Sequence, residues 1–212
     1  MSARNIKFVD GEYYHVYNRG VDKRDIFIDE EDFSRFMQSI KEFNDIEPIG
    51  SIYENSFNNS FNNQSPKLLV SIVCFCLNQN HFHFIFRQES ERGIEKFMQR
   101  LGGYPKYFNN KYKRSGALFQ GKFKAKHIVD NKYLLNLSVY VNLNDKVHQL
   151  GCQAPKLMKS SWEEFVDQKM SSFCRKDIVL GQFENQSDYK KFALNLLPIL
   201  ILNKKESRDL ED

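Results

Sequence analysis

Apolar residues recur along the chain with two different periods, and the switches between them lay out an α+β plan. Tyr13 to Asn18 is aromatic and β-branched and stops at Arg19-Gly20, which predicts a first strand. Asp29 can cap a helix whose apolar positions Phe33, Phe36, Met37, Ile40 and Phe43 keep a helical period. Leu68 to Cys76 is an apolar run of strand length, Asn78-Gln79-Asn80 is turn chemistry and His81 to Arg87 is a second run. Residues 68–87 therefore predict a β-hairpin. Ser90 can cap a helix carrying Ile94, Phe97, Met98 and Leu101, which Gly102-Gly103 should end. A loop rich in Gly and Lys is expected from Arg114 to Lys126, then a helix from about Asp130 to Asn144. From about Pro155 the pattern is helical and irregular, and the charged tail Lys204 to Asp212 is expected to fray. Strand, helix, strand pair and two further helices fit a ferredoxin-like antiparallel sheet with helices on one face, followed by a helical C-terminal extension.

Alternation along the last strand puts His81, His83, Ile85 and Arg87 on one face and Phe82, Phe84 and Phe86 on the other. The phenylalanines form a core-facing ridge, which leaves the histidines for the sheet's open face. Between the first helix and the hairpin, Pro48-Ile49-Gly50 breaks the pattern. The Asn/Ser-rich stretch 51–65 then reads as a loop insertion, because Asn and Ser compete for backbone hydrogen bonds and build no core.

Composition narrows the class without choosing within it. The 212 residues are 41% hydrophobic and 27% charged, ordinary for one globular domain, which excludes wholesale disorder and collagen. The longest apolar run, Leu194 to Leu202, is interrupted by Asn195 and Pro198 and falls far short of the roughly 20 residues of a membrane span. The first residues carry charges where a signal peptide needs an apolar stretch, and Cys74, Cys76, Cys152 and Cys174 form no CxxC pair. A cytoplasmic protein with reduced thiols and no membrane association is expected.

Charge changes the picture once it is located. Arg100, Lys106, Lys111, Lys113, Arg114, Lys122, Lys124 and Lys126 lie in one stretch without an acidic residue, so against a net +4 the rest of the chain is negative. Tyr104, Tyr107, Phe108, Tyr112, Phe119 and Phe123 are interleaved with them. Such cations attract phosphates, and such rings can stack on unpaired bases. Arg87 on the histidine face is a further candidate phosphate contact, though a salt bridge would serve it equally.

A His-x-His pair on a strand can hold a divalent ion, although a bare pair is more often two surface histidines. Tyr140 and Asn144, four residues apart, would share one helix face. Together the four have a mechanism: a metal held by two imidazoles and an amide oxygen polarises a phosphodiester, and a phenol attacks it. Tyr133, two turns earlier on the same face, is the rival nucleophile. His15, with Tyr13 and Tyr17 on its face, and Arg19 are candidates for the neighbourhood of the site, whereas His127 and His148 read as ordinary surface histidines.

Three stretches in order resemble one family, the REP-associated tyrosine transposases of the single-tyrosine HUH endonucleases. They are Tyr14-His15-Val16-Tyr17-Asn18-Arg19-Gly20, then Asn80-His81-Phe82-His83-Phe84, then Gly116 to Phe123 followed by Tyr140-Val141-Asn142-Leu143-Asn144. The resemblance covers roughly residues 12–150 and implies a catalytic domain over 1–150, with 151–212 as the extension. It implies the ferredoxin-like HUH fold, His81, His83 and Asn144 as ligands of magnesium or manganese, and Tyr140 as nucleophile. It further implies a substrate of single-stranded DNA bearing a hairpin, with Gln120 and Lys122 among its contacts, cleaved and rejoined through a 5′-phosphotyrosine by a monomer or homodimer. Gln79 and Asp145 depart from the family's usual prolines. A hairpin-binding protein that has lost catalysis is the alternative, and a zinc hydrolase built on the same histidines would need a third strong ligand.

Overall fold

In the computed structural model, residues 6–50, 52, 67–148, 157–167 and 173–209 are described, so the 51–65 insertion lies almost wholly outside them. Strand β1 (Tyr13–Arg19) leads through a short 3₁₀ turn to α1 (Glu30–Glu42), with Asp29 closing a capping box with Asp32. The predicted hairpin is present as β2 (Val70–Asn78) and β3 (His81–Gln88). Two helices follow, α2 (Gly93–Leu101) and α3 (Tyr104–Lys111), and then β4 (Lys124–His127). The strand order β4-β1-β3-β2-β5 is antiparallel throughout, and its first four members form the split βαβ arrangement of a ferredoxin-like sheet. The fifth strand, β5 (Met158–Ser160), comes from the C-terminal segment, after α4 (Asn131–Asn142) and α5 (Asn144–Val147). Helices α6 (Trp162–Val166), α7 (Asp177–Leu180) and α8 (Gln186–Asp209) complete the described chain.

Each face of the sheet has its own apolar cluster. Phe82, Phe84 and Phe86 pack with Phe33 and Phe36 of α1, Phe97 of α2 and Phe108 of α3, the expected helical layer. The other face, expected open, is covered as well. Cys74, Cys76 and Ile85 are fully buried there against Leu137 and Val141 of α4, Phe165 of α6, Val179 of α7 and Tyr189 of α8. Those three sheet residues are apolar and must be taken from water, and the irregular C-terminal segment supplies part of the cover.

Three elements depart from the sequence pattern, two as additions and one in its start. Helix α3 begins after the Gly102-Gly103 break with Pro105 in its first turn, where the missing N–H costs nothing. Strand β4 reads as a loop because Lys-Ala-Lys-His is an edge strand, polar on its outward positions. Helix α2 starts later than the Ser90 cap suggests: Arg92 is left-handed (φ 57°) and the Gly93 N–H donates to the Ser90 carbonyl at 2.8 Å. Gly93 itself is required, since a Cβ there would lie 2.1 Å from the Leu69 carbonyl oxygen. The charged tail, expected to fray from Lys204, continues α8 to Asp209.

Candidate active site

The register of three strands assembles one face of the site. Tyr17 lies opposite His83 and Arg19 opposite His81, while Cys76 and Asn78 of β2 flank the same two histidines on the other side. Helix α4 crosses this face and brings the Tyr140 ring edge-on to His83, with centroids 5.6 Å apart. The helix stops at Asn142 rather than at Asn144, and α5 restarts the turn, so Asn144 arrives at its start, fully buried. Asn144 Oδ1 lies 2.9 Å from His81 Nε2, and Asn78 Nδ2 donates to Asn144 Oδ1 at 2.8 Å. His15 Nε2 and His83 Nδ1 share a hydrogen bond of 2.9 Å, and these two imidazoles are only 8% and 7% exposed.

Burial decides the charge of the ring. It holds His15 down at about 4, with Lys126 opposing protonation further. Burial likewise lowers His83 well below the ordinary range, with lesser contributions from the surrounding histidines and Lys204 of α8. His81 is lowered by burial despite the Asn144 hydrogen bond that opposes it. The Tyr140 phenol is pushed up by burial, and the Asn144 amide opposes that shift. The site is thus a set of neutral imidazoles at neutral pH, the form that ligates metals.

The donor set fits a divalent ion. His81 Nδ1 donates to Asn80 Oδ1 at 2.6 Å, because an amide oxygen can only accept, and so neutral His81 presents a bare Nε2. That lone pair accepts from Asn78 Nδ2 at 2.9 Å and lies 2.9 Å from the Asn144 oxygen, which accepts from the same Asn78 amide. Two acceptors at this separation match neighbouring ligands around a six-coordinate ion with bonds of about 2.1 Å. The Asn144 Nδ2 is buried without a partner, so the oxygen is the end of that amide turned toward the histidines. Among the described residues no group of three His, Cys, Asp or Glu side chains is arranged to hold a metal ion by itself.

The sequence candidates divide. His81, His83, Tyr140, Asn144 and His15 come together, and Arg19 stands beside His81, its Nε donating to Gln120. Tyr133 lies in the first turn of α4, where its backbone N–H donates to the capping Asp130 side chain and its ring lies under Lys126. Lys124 and Lys126 lie opposite Tyr17 and His15, exposed at the edge of the histidine face. Lys106, Lys113 and Lys122 are exposed elsewhere, and Arg114 lies over the Phe108 ring.

Three cations read as DNA contacts are engaged within the chain. Arg100 donates to the carbonyls of Phe43, Asp45 and Ile46, tying α2 to the end of α1. Lys111 is held by Asp29, Glu31 and the fully buried Asp32. Arg87 pairs with Glu89 at 2.6 Å, at the far end of β3 from His81. The interleaved aromatics are likewise core: Tyr104 and Phe108 are buried in the α1–α3 cluster, and Tyr107, Tyr112, Phe119 and Phe123 pack against that cluster. Paired charges and buried rings cannot be told from free ones by local composition.

Two site residues escaped the sequence reading. Asn78 bridges His81 and Asn144 but reads as turn chemistry. His148, taken for a surface residue, lies with its Nε2 3.3 Å from the Tyr140 hydroxyl and its ring 5.5 Å from His81. The signal for it was present, since Tyr140, Asn144 and His148 repeat every four residues.

Residues 9–144, well over half of the chain, match the family model described as IS200-like transposase. No curated protein matches the chain. Among solved structures, one described as a REP-associated tyrosine transposase bound to a REP hairpin is similar in fold, with a TM-score of 0.53 and 15% identity over 81% of this chain and 89% of that one. Among the described residues no helix is long and apolar enough to cross a membrane.

Proposed function

The chain belongs to the IS200-like transposase family, and from that premise we propose that it cleaves and rejoins single-stranded DNA beside a hairpin through a covalent bond to Tyr140. The observation that carries this reading is the meeting of the Tyr140 phenol, His83 and the His81–Asn144 donor pair at one point of the sheet. The hairpin as partner is supported by the similar fold of the transposase solved with a REP hairpin.

Lys124, Lys126 and Arg19 draw the phosphate backbone onto the histidine face. Magnesium or manganese held by His81 Nε2, His83 and Asn144 Oδ1 would supply positive charge against the non-bridging oxygens of the scissile phosphate. His15 orients His83: when His83 Nδ1 donates to His15 Nε2, His83 keeps its other nitrogen bare. Asn80 does the same for His81. The Tyr140 oxygen attacks phosphorus, and its proton passes to His148 Nε2, 3.3 Å away. The bond from phosphorus to the 3′ oxygen breaks, that oxygen takes up a proton, and the 5′ phosphate remains on Tyr140. Attack by a 3′-hydroxyl reverses the step, and the phosphodiester energy is retained throughout.

Incubation with hairpin DNAs and manganese, followed by a denaturing gel, tests this. A protein–DNA adduct is expected with wild type, none with Tyr140→Phe, and none with His83→Ala. An adduct formed by Tyr140→Phe would overturn the assignment. Hairpin binding without any wild-type adduct would favour the non-catalytic binder.

A further inference from the structure

Tyr17 stands at the centre of the histidine face and yet belongs to neither apolar cluster. Its neighbours in the same strand pattern are accounted for: Tyr14 and Val16 point into the core, and His15 bonds His83. The Tyr17 ring lies nearly parallel to that of His83, 5.5 Å away at 18°, and stacks on His15 at 4.8 Å and 27°. Both imidazoles are buried, whereas Tyr17 is only half-buried, so a rigid support lies behind a ring that still meets solvent. On its other side, Lys124 occupies the register position opposite Tyr17 on the edge strand β4 and is exposed. One row of the sheet therefore runs cation, aromatic ring, catalytic imidazole.

We propose that Tyr17 is a base-stacking residue, holding the base of a nucleotide next to the phosphate that Tyr140 attacks. Lys124 meets that nucleotide's backbone. This rests on the reading of the site as a DNA-cleaving centre. Adjacent strands are about 4.8 Å apart. A base on Tyr17 therefore belongs to a nucleotide flanking the one at His83. An aromatic ring accepts any base on its face, so the contact fixes position with little sequence preference. The interleaved aromatics of the basic stretch cannot take this role, because their rings pack in or against the core on the opposite face.

The test uses full-length protein with Tyr17→Phe and Tyr17→Leu. Hairpin DNAs carry 2-aminopurine, or in a second set an abasic site, at each position around the cleavage point. In metal-free complexes, stacking should quench 2-aminopurine at one position in wild type and Tyr17→Phe but not in Tyr17→Leu. Quenching at no position, or undiminished quenching in Tyr17→Leu, overturns the proposal, and this readout needs no cleavage. With manganese, Tyr17→Leu and an abasic site at the quenched position should each slow adduct formation about tenfold, as expected for loss of one stacked base. Combined, they should cost little more than either alone. Multiplied losses would mean that Tyr17 only props His83 and would overturn the stacking role. Absence of wild-type adduct on every DNA, with the quench intact, would instead remove the cleavage reading and leave the stack.

Discussion

His15 stays neutral because folding buries it against His83, and its imidazole is thereby held at about 4, well under its ordinary 6.5. Between those two values the unfolded chain binds more protons than the folded one, so stability rises with pH through that window. The full contribution is present above about pH 6.5 and is lost as pH falls toward 4. A shift of this size corresponds to about 3 kcal/mol. Burial also lowers His81 and His83, which steepens the same slope. Urea unfolding in chelating buffer should therefore show wild type losing stability steadily from pH 6.5 to 4. His15→Gln, which cannot protonate, should give a distinctly shallower curve, and an unchanged slope would mean that this imidazole is not the group desolvated by folding. At this scale His81, His83, Tyr140 and Asn144 could be singled out from the sequence through the motifs that resemble one family, since a bare His-x-His is more often two surface histidines, and the structure brings the four together. What His15 and Asn80 do for those histidines was not legible, since each acts through a hydrogen bond that appears only after the strands pair.

Helix α4 has to hold Tyr140 over the sheet, and a buried polar network ties it there. Asn142 Nδ2 donates to the Tyr189 hydroxyl at 3.0 Å, Ser138 Oγ lies 3.1 Å from that hydroxyl, and Ser161 Oγ donates to Asn142 Oδ1 at 2.6 Å. The Phe75 N–H of β2 donates to Ser161 in turn, so the network links α4 to the sheet and to α8. Tyr189→Phe keeps the ring and removes the hydroxyl, leaving a buried amide N–H unpaired. The expected cost is about 1–3 kcal/mol. Thermal unfolding should show a lowered midpoint and, on the proposed mechanism, slower adduct formation because the helix carrying Tyr140 is less firmly placed. An unchanged midpoint would show that the network contributes nothing. The span of α4 could be read from its period and the Asp130 cap, but its end could not. Leu143 leaves the helical conformation, and α5 then carries Asn144 and His148 to the site.

The C-terminal segment, which carried no recognisable motif, proves to be part of the core. It adds β5 to the edge of β2, covers Leu134, Leu137 and Val141 of α4, and brings Lys204 close enough to influence His81 and His83. Removing residues 157–212 should uncover that apolar face. The shortened chain should then bind a hydrophobic dye and lose cooperative thermal unfolding. A shortened chain that unfolds as sharply as the whole would mean that the segment is an independent appendage. Gly20 makes the complementary point at the end of β1: a Cβ there would lie 2.0 Å from the Arg24 carbonyl oxygen. That tight turn lets Phe119 bridge to Gly20 and lets the Gln120 N–H donate to the Arg19 carbonyl, so two motifs a hundred residues apart dock as one.

The sequence by itself determined which residues could be strands and helices and which face of β3 carried histidines or phenylalanines. It also determined which candidate chemical groups the chain carries and in what order. Those are local properties, set by side-chain periodicity and chemical type, and they survive without knowledge of any partner. Only the tertiary structure decided that the histidine face is roofed, that His148 joins Tyr140, and that Arg100 and Lys111 are spent on carbonyls and carboxylates inside the chain. The decisive contacts join segments distant in sequence, such as His15 with His83 and His81 with Asn144. Packing of whole elements chooses such partners, and no window of neighbouring residues contains that choice.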